Sequence, residues 1–285
     1  VVENNWLKIT THEMIRNGTW CYKDGIFFIC IENNIIGFNG DYLFPDNMSI
    51  REKKRVKNKL KFVLGIDINL DDFYSEIADT KFSFLIDEFY GLRSPAAVTA
   101  YQAIVETIAQ QQVSFEFAMK TIENLVKIAG KRVEENIEGK KVKLYRFPTA
   151  EEVVKVKDKL GEAKLGYRKE YIKEISEKLI RKEIDLNKVE KMSEEEAIKY
   201  MTSFRGIGRW SAELFLTYTF RKNTYPANDL GIRRGVAKIL GIGVKEVKER
   251  DVRELIEPFG KWKSLLAFYI TCYDRREQSK IRAKG

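Results

Sequence analysis

The sequence is poor in the side chains on which most metal and nucleophilic chemistry depends. Its 285 residues include one histidine, His12, and three cysteines, Cys21, Cys30 and Cys272. A single histidine excludes a multi-histidine metal site and argues against Ser-His-Asp or Cys-His catalysis. Three scattered cysteines form neither a disulfide framework nor a four-cysteine zinc or iron–sulfur site. Proline is scarce, at five residues, and no low-complexity linker or internal repeat interrupts the chain. No apolar run approaches the ~20 residues of a membrane helix, so no membrane partner is expected. Val1 to Lys8 lack the basic start, apolar stretch and small-residue cleavage site of a secretory signal. Chemistry here must come from carboxylates, hydroxyls, amides, aromatics or backbone groups.

What is present describes a globular chain of about two domains. Hydrophobic residues are 44% and charged residues 33%, a balance that builds a core and excludes general disorder. Lys plus Arg outnumber Asp plus Glu by 51 to 42, a formal net charge of +9. Such an excess favours a polyanionic partner, because each neutralised phosphate releases counterions. The densest basic run, Arg51 to Lys61, reads first as a solvated helix face.

The pattern along the chain predicts an α+β protein. Trp20 to Ile31 is aromatic and β-branched around an Asp24-Gly25 turn, and Asn33-Asn34 precedes a further strand at Ile35 to Phe38. Residues 1–84 are expected to form a small antiparallel β-rich lobe, and residues 85–285 a helical body. Tyr101, Ile104, Val105 and Ile108 follow helical spacing, and Phe115 to Ala129 continues it in a second helix. Thr149 and Glu152 make a capping box. Trp262, Leu265, Leu266, Tyr269, Ile270 and Tyr273 mark an apolar stripe near the C-terminus.

Two segments carry chemistry. In Phe204-Arg205-Gly206-Ile207-Gly208-Arg209-Trp210-Ser211, one helix ends near Thr202 and another starts by Arg209. Glycines there permit a tight turn and let backbone N–H groups approach an anion at a helix N-terminus. Alone, a Gly-x-Gly is more often an ordinary helix–turn–helix corner. Further on, Pro226-Ala227-Asn228-Asp229-Leu230-Gly231-Ile232 places an acid at the start of a helix, where the plain reading is an N-cap.

Together, these segments resemble the helix-hairpin-helix and catalytic-aspartate motifs of the helix-hairpin-helix DNA glycosylase superfamily, and within it the alkylated-base, 3-methyladenine glycosylase II branch. Ile108 to Ser114, Phe147 to Glu151, Leu165 to Lys169 and Trp262 to Ala267 resemble further family segments in the same order. The resemblance covers roughly residues 85–275. It implies a monomeric enzyme of base excision repair that hydrolyses the N-glycosidic bond of a damaged base in double-stranded DNA, working in the cytoplasm at the nucleoid.

By that resemblance Asp229 is the catalytic carboxylate. Gly206, Ile207, Gly208, Arg209 and Ser211 face the DNA backbone, and Gln112, or its neighbour Gln111, fills the space left by the extruded base. Trp210, Tyr269, Thr271 and Tyr273 line the base pocket, with Thr271 departing from the family's usual aromatic residue. No cofactor is required and no side chains hold a metal, but Na⁺ or K⁺ is expected on the hairpin carbonyls. Bifunctional relatives carry a Schiff-base lysine where this chain has Trp210, which implies an enzyme without lyase activity. Two alternatives stay open here: a glycosylase for oxidised or deaminated purines such as 8-oxoguanine and hypoxanthine, and a non-catalytic helix-hairpin-helix DNA-binding protein.

Overall fold

A computed structural model describes residues 7, 8, 10 and 18–282; His12 and most of the first 17 residues lie outside them. Four strands, β1 (Trp20–Lys23), β2 (Ile26–Ile31), β3 (Asn34–Phe38) and β4 (Tyr42–Leu43), form an antiparallel sheet in that order. The β1–β2 turn uses positive φ at both Asp24 (51°) and Gly25 (78°), which matches the twist of the flanking strands. Strand β2 is buried at every position, because both faces of the sheet are covered. On one side Phe27, Ile29 and Ile36 meet Val56 and Leu60 of helix α1 (Ile50–Leu64). On the other, Phe28, Cys30 and Ile35 meet Val133, Val142 and Leu144.

Those last residues belong to an antiparallel hairpin, β5 (Lys131–Ile137) and β6 (Lys140–Arg146), set between helices in a region expected to be wholly helical. Buried Val133, Ile137, Val142 and Leu144 lie on its sheet-facing side, and Glu138 and Gly139 make its turn with φ of 49° and 74°. Packing also crosses the expected division at residue 84. Helices α2 (Leu70–Ile77) and α3 (Phe84–Glu88) contribute Leu70, Phe73 and Leu85 to a core shared with Tyr225, Val236 and Leu266 near the other end of the chain.

The helical body therefore has two halves. One contains α4 (Ala100–Ala109), α5 (Phe115–Ala129), α6 (Ala150–Lys155), α7 (Arg168–Ile180), α8 (Leu186–Lys191), α9 (Glu194–Thr202) and α10 (Arg209–Phe220) around Ile104, Ile108, Ile122, Phe215 and Leu216. The other joins α2 and α3 to α11 (Leu230–Leu240), α12 (Glu249–Ile256) and α13 (Lys263–Arg282). Helices α11 and α13 approach closely at Gly235, where a Cβ would lie 2.5 Å from Ile270 Cγ2. No helix among the described residues is long and apolar enough to cross a membrane.

Candidate functional site

The two halves leave between them a cleft of about 1860 Å³. The hairpin joining α9 to α10 forms one lip. Ile207 donates its N–H to the Phe204 carbonyl (3.1 Å), closing the turn. Gly206 sits at φ +85°, and a Cβ there would lie 2.4 Å from Tyr171 Cγ, so both backbone and packing demand glycine. Gly208 differs: it is exposed, and a Cβ would meet nothing within 4 Å. It begins α10 without any side-chain cap, whereas Ser49, Thr99, Ser114 and Ser193 cap their helices through hydroxyls. The first N–H groups of α10, at the positive end of its dipole, are thus available to an anion.

The glutamine corner after α4 braces this lip. Gln111 Nε2 donates to the Gly206 carbonyl (2.7 Å) and to Ser211 Oγ (2.9 Å). Arg168 donates to the Gln111 carbonyl from Nε (2.8 Å) and from a second guanidinium nitrogen. Gln111 is therefore a tie between helices, and Ser211 is buried beneath it. The Gly206 oxygen, one that would face Na⁺ or K⁺, already accepts from the chain's own amide. Gln112 is exposed at the cleft and adopts φ +53°, a left-handed conformation costly for a residue with a Cβ.

Across the cleft, Asp229 begins α11. Its Oδ1 accepts from the Gly231 N–H (2.8 Å) and the Ile232 N–H (3.2 Å), and its Oδ2 accepts from Trp210 Nε1 (2.9 Å). The cap and the indole fix the carboxylate plane, yet Asp229 stays half-exposed at the cleft. Each oxygen keeps acceptor capacity for a water or a developing positive charge. Arg209 is turned elsewhere: Nε donates to Glu213 (2.9 Å) and a terminal nitrogen to Glu195 (3.0 Å). Glu213, 4% exposed, also receives Arg253 (2.8 Å). Burial raises its pKa, and the two guanidiniums oppose that rise.

The far wall comes from α13 and departs from expectation. Thr271 lines the cleft, but Tyr269 and Tyr273 do not. Tyr269 is 0% exposed and donates its hydroxyl to the Leu92 carbonyl (2.6 Å). Tyr273 packs edge-on against Phe84, with ring centroids 5.1 Å apart. Both lie on the core-facing stripe of α13. The cleft-facing stripe, displaced around the helix, is Ser264, Phe268, Thr271 and Arg275. Arg275 stacks over the Phe115 ring at 4.4 Å. Leu214 and Tyr218 of α10 complete the interior and had no signal beyond helical spacing from Trp210.

Comparison with known proteins agrees with this arrangement. Residues 105–262, more than half of the chain, match the family described as HhH-GPD superfamily base excision DNA repair protein. A DNA-3-methyladenine glycosylase of Bacillus subtilis is 28% identical over 232 residues, covering 79% of this chain and 75% of that protein. The structure of a 3-methyladenine DNA-glycosylase from Archaeoglobus fulgidus superposes with a TM-score of 0.80 at 32% identity, covering 95% of each chain. An 8-oxoguanine glycosylase/lyase of Clostridium acetobutylicum, bound to double-stranded DNA, also gives a TM-score of 0.80, but at 18% identity it shares the fold alone.

Proposed function

Because the chain belongs to the HhH-GPD superfamily of base excision DNA repair proteins, we propose that it is a monofunctional DNA glycosylase that removes alkylated bases of the 3-methyladenine type from duplex DNA. The observation that carries this reading is the Asp229 carboxylate, held by Trp210 and by its own helix, in the same cleft as the uncapped N-terminus of α10.

The backbone N–H groups at Gly208 and the start of α10 hold a phosphate without reading sequence. The damaged nucleotide turns out of the stack into the cleft, at a cost of roughly a few kcal/mol, and Gln112 fills part of the gap. As the N-glycosidic bond breaks, its electron pair leaves with the base and positive charge develops on the sugar. Asp229 stabilises that charge and accepts the proton of the water that adds to C1′. The products are a free base and an abasic site in an unbroken strand. A cationic alkylated base departs as a neutral molecule, so little acid assistance is needed. The indole of Trp210 offers such a base an electron-rich face.

Lyase chemistry needs an amine at the sugar, and among the described residues no lysine lines the cleft. Lys222 Nζ donates to the Met192 carbonyl (2.6 Å), and Lys238 Nζ is bound to Asp274 (2.7 Å). The test is single-turnover excision on duplexes carrying 3-methyladenine, 7-methylguanine, hypoxanthine, 8-oxoguanine or uracil, with borohydride added in parallel. Release of alkylated bases without a trapped covalent adduct is expected. No excision, or a trapped adduct in useful yield, would reject the reading. Such an enzyme acts where the DNA is, at the cytoplasmic nucleoid.

A further inference from the structure

Helix α10 supplies one whole side of the cleft through Trp210, Leu214, Thr217 and Tyr218. A rise of 1.5 Å per residue sets the Tyr218 backbone about 12 Å along the helix from that of Trp210. Long side chains on a helix lean toward its N-terminus, so the Tyr218 ring leans back toward the Trp210–Asp229 pair. The charge environment agrees: Asp229, Arg275 and Glu106 all act on the Tyr218 phenol.

Several neighbouring polar groups are already engaged. Thr217 Oγ1 donates to the Glu213 carbonyl (3.0 Å), Thr271 Oγ1 to the Ala267 carbonyl (2.9 Å) and Gln110 Nε2 to the Glu106 carbonyl (3.1 Å). Ser211 is bonded to Gln111 (2.9 Å). The Tyr218 hydroxyl makes no hydrogen bond to any described residue. Tyr218 is half-buried and lines the cleft, so its hydroxyl is open to water there until a ligand takes that water's place.

We propose that Tyr218 is a specificity-determining residue whose hydroxyl donates a hydrogen bond to a ring nitrogen or carbonyl oxygen of an extruded neutral purine. This inference rests on the base-excision reading and adds to it a residue that sorts neutral purines from cationic ones. A neutral purine leaves carrying the electron pair of the broken N-glycosidic bond as negative charge. A donor on its edge disperses that charge in the transition state, whereas a cationic base needs no such donor. No proton passes from the phenol: the water's proton goes to Asp229, and the departing purine anion takes its proton from solvent. Burial pushes the Tyr218 pKa up to about 12, with Arg275 pulling against it, so the group stays an O–H donor at neutral pH.

The experiment compares wild type and Tyr218→Phe in single-turnover excision of hypoxanthine and of 7-methylguanine, with thermal unfolding of both proteins. Phenylalanine keeps the ring and removes only the donor. Excision of hypoxanthine should fall by about tenfold, the worth of one hydrogen bond, while 7-methylguanine changes by less than about twofold. Unfolding temperatures should agree. Equal slowing on both bases, no slowing on hypoxanthine, or a wild type that removes 7-methylguanine but not hypoxanthine would overturn the proposal. A wild type inert on both would overturn the base-excision reading, and this inference with it.

Discussion

Replacing Asp229 by asparagine tests geometry and chemistry together. The carboxylate has three donors: the N–H groups of Gly231 and Ile232 on Oδ1, and Trp210 Nε1 on Oδ2 (2.8, 3.2 and 2.9 Å). An amide has one acceptor oxygen. If that oxygen caps α11, the NH₂ group faces the indole N–H, donor to donor. If it turns to the indole, the NH₂ faces the two backbone N–H groups. Either way a hydrogen bond to a charged group is lost. Such bonds are worth about 1.5–3 kcal/mol, and half-exposure favours the lower end. At about 2–4 °C per kcal/mol for a chain of this size, the variant should melt several degrees lower. Trp210→Phe removes the opposing donor, so the asparagine should cost about 1 kcal/mol less in that background. Denaturant unfolding of the four proteins measures this coupling. Excision, assayed below every melting transition, should fall by about 10²–10³-fold or more in both asparagine variants, because the charge itself is gone. Additive stability losses would refute the assigned geometry. Excision within tenfold of wild type would refute the role of Asp229.

Five further outcomes follow from the same structure. Gln112→Gly should fold as well as wild type or better, since it relieves a left-handed φ that costs about 1 kcal/mol. The same variant should slow excision of a well-paired lesion more than of a mismatched one, read in single-turnover rates on both duplexes. Gly208→Ala should keep its unfolding temperature yet weaken binding to every duplex alike in titrations, whereas Gly206→Ala should lose stability against the Tyr171 ring. Asp274→Ala should destabilise by about 1.5–3 kcal/mol in denaturant, because buried Asp274 holds the partly exposed Arg234 (2.8 Å) and Lys238 (2.7 Å) between α11 and α13.

Much of the fold was legible where local rules act alone. The Asp24-Gly25 turn, the Thr149–Glu152 capping box and the Asp229 N-cap all form as their residue types require. The hairpin at residues 131–146 was missed despite a signal. Its Val133, Ile137, Val142 and Leu144 sit among charged neighbours around Glu138-Gly139, an alternation that helical segments flank on both sides. The burial of Leu70, Phe73 and Phe82 against C-terminal helices had no local signature. It depends on a chain return of well over a hundred residues, which spacing within one segment does not encode.

The site divides in the same way. Gly206 and Asp229 were legible because backbone geometry restricts them to few residue types. The wall of α13 was not, because a helix between a core and a cleft carries aromatics on either side. Tyr269 and Tyr273 fit the apolar period of that helix, and so they fit its core face. The residues that break the period are the ones that line the cleft: Ser264, Thr271 and Arg275 on α13, with Gln112 at its left-handed corner. The glutamine pair makes the point sharply. Adjacent and chemically identical, Gln111 is consumed by the hairpin while Gln112 is forced outward, and a left-handed φ at Gln112 alone separates them. Composition cannot distinguish such neighbours. One amide is spent on holding the Gly206 turn, and the next one stands exposed at the cleft.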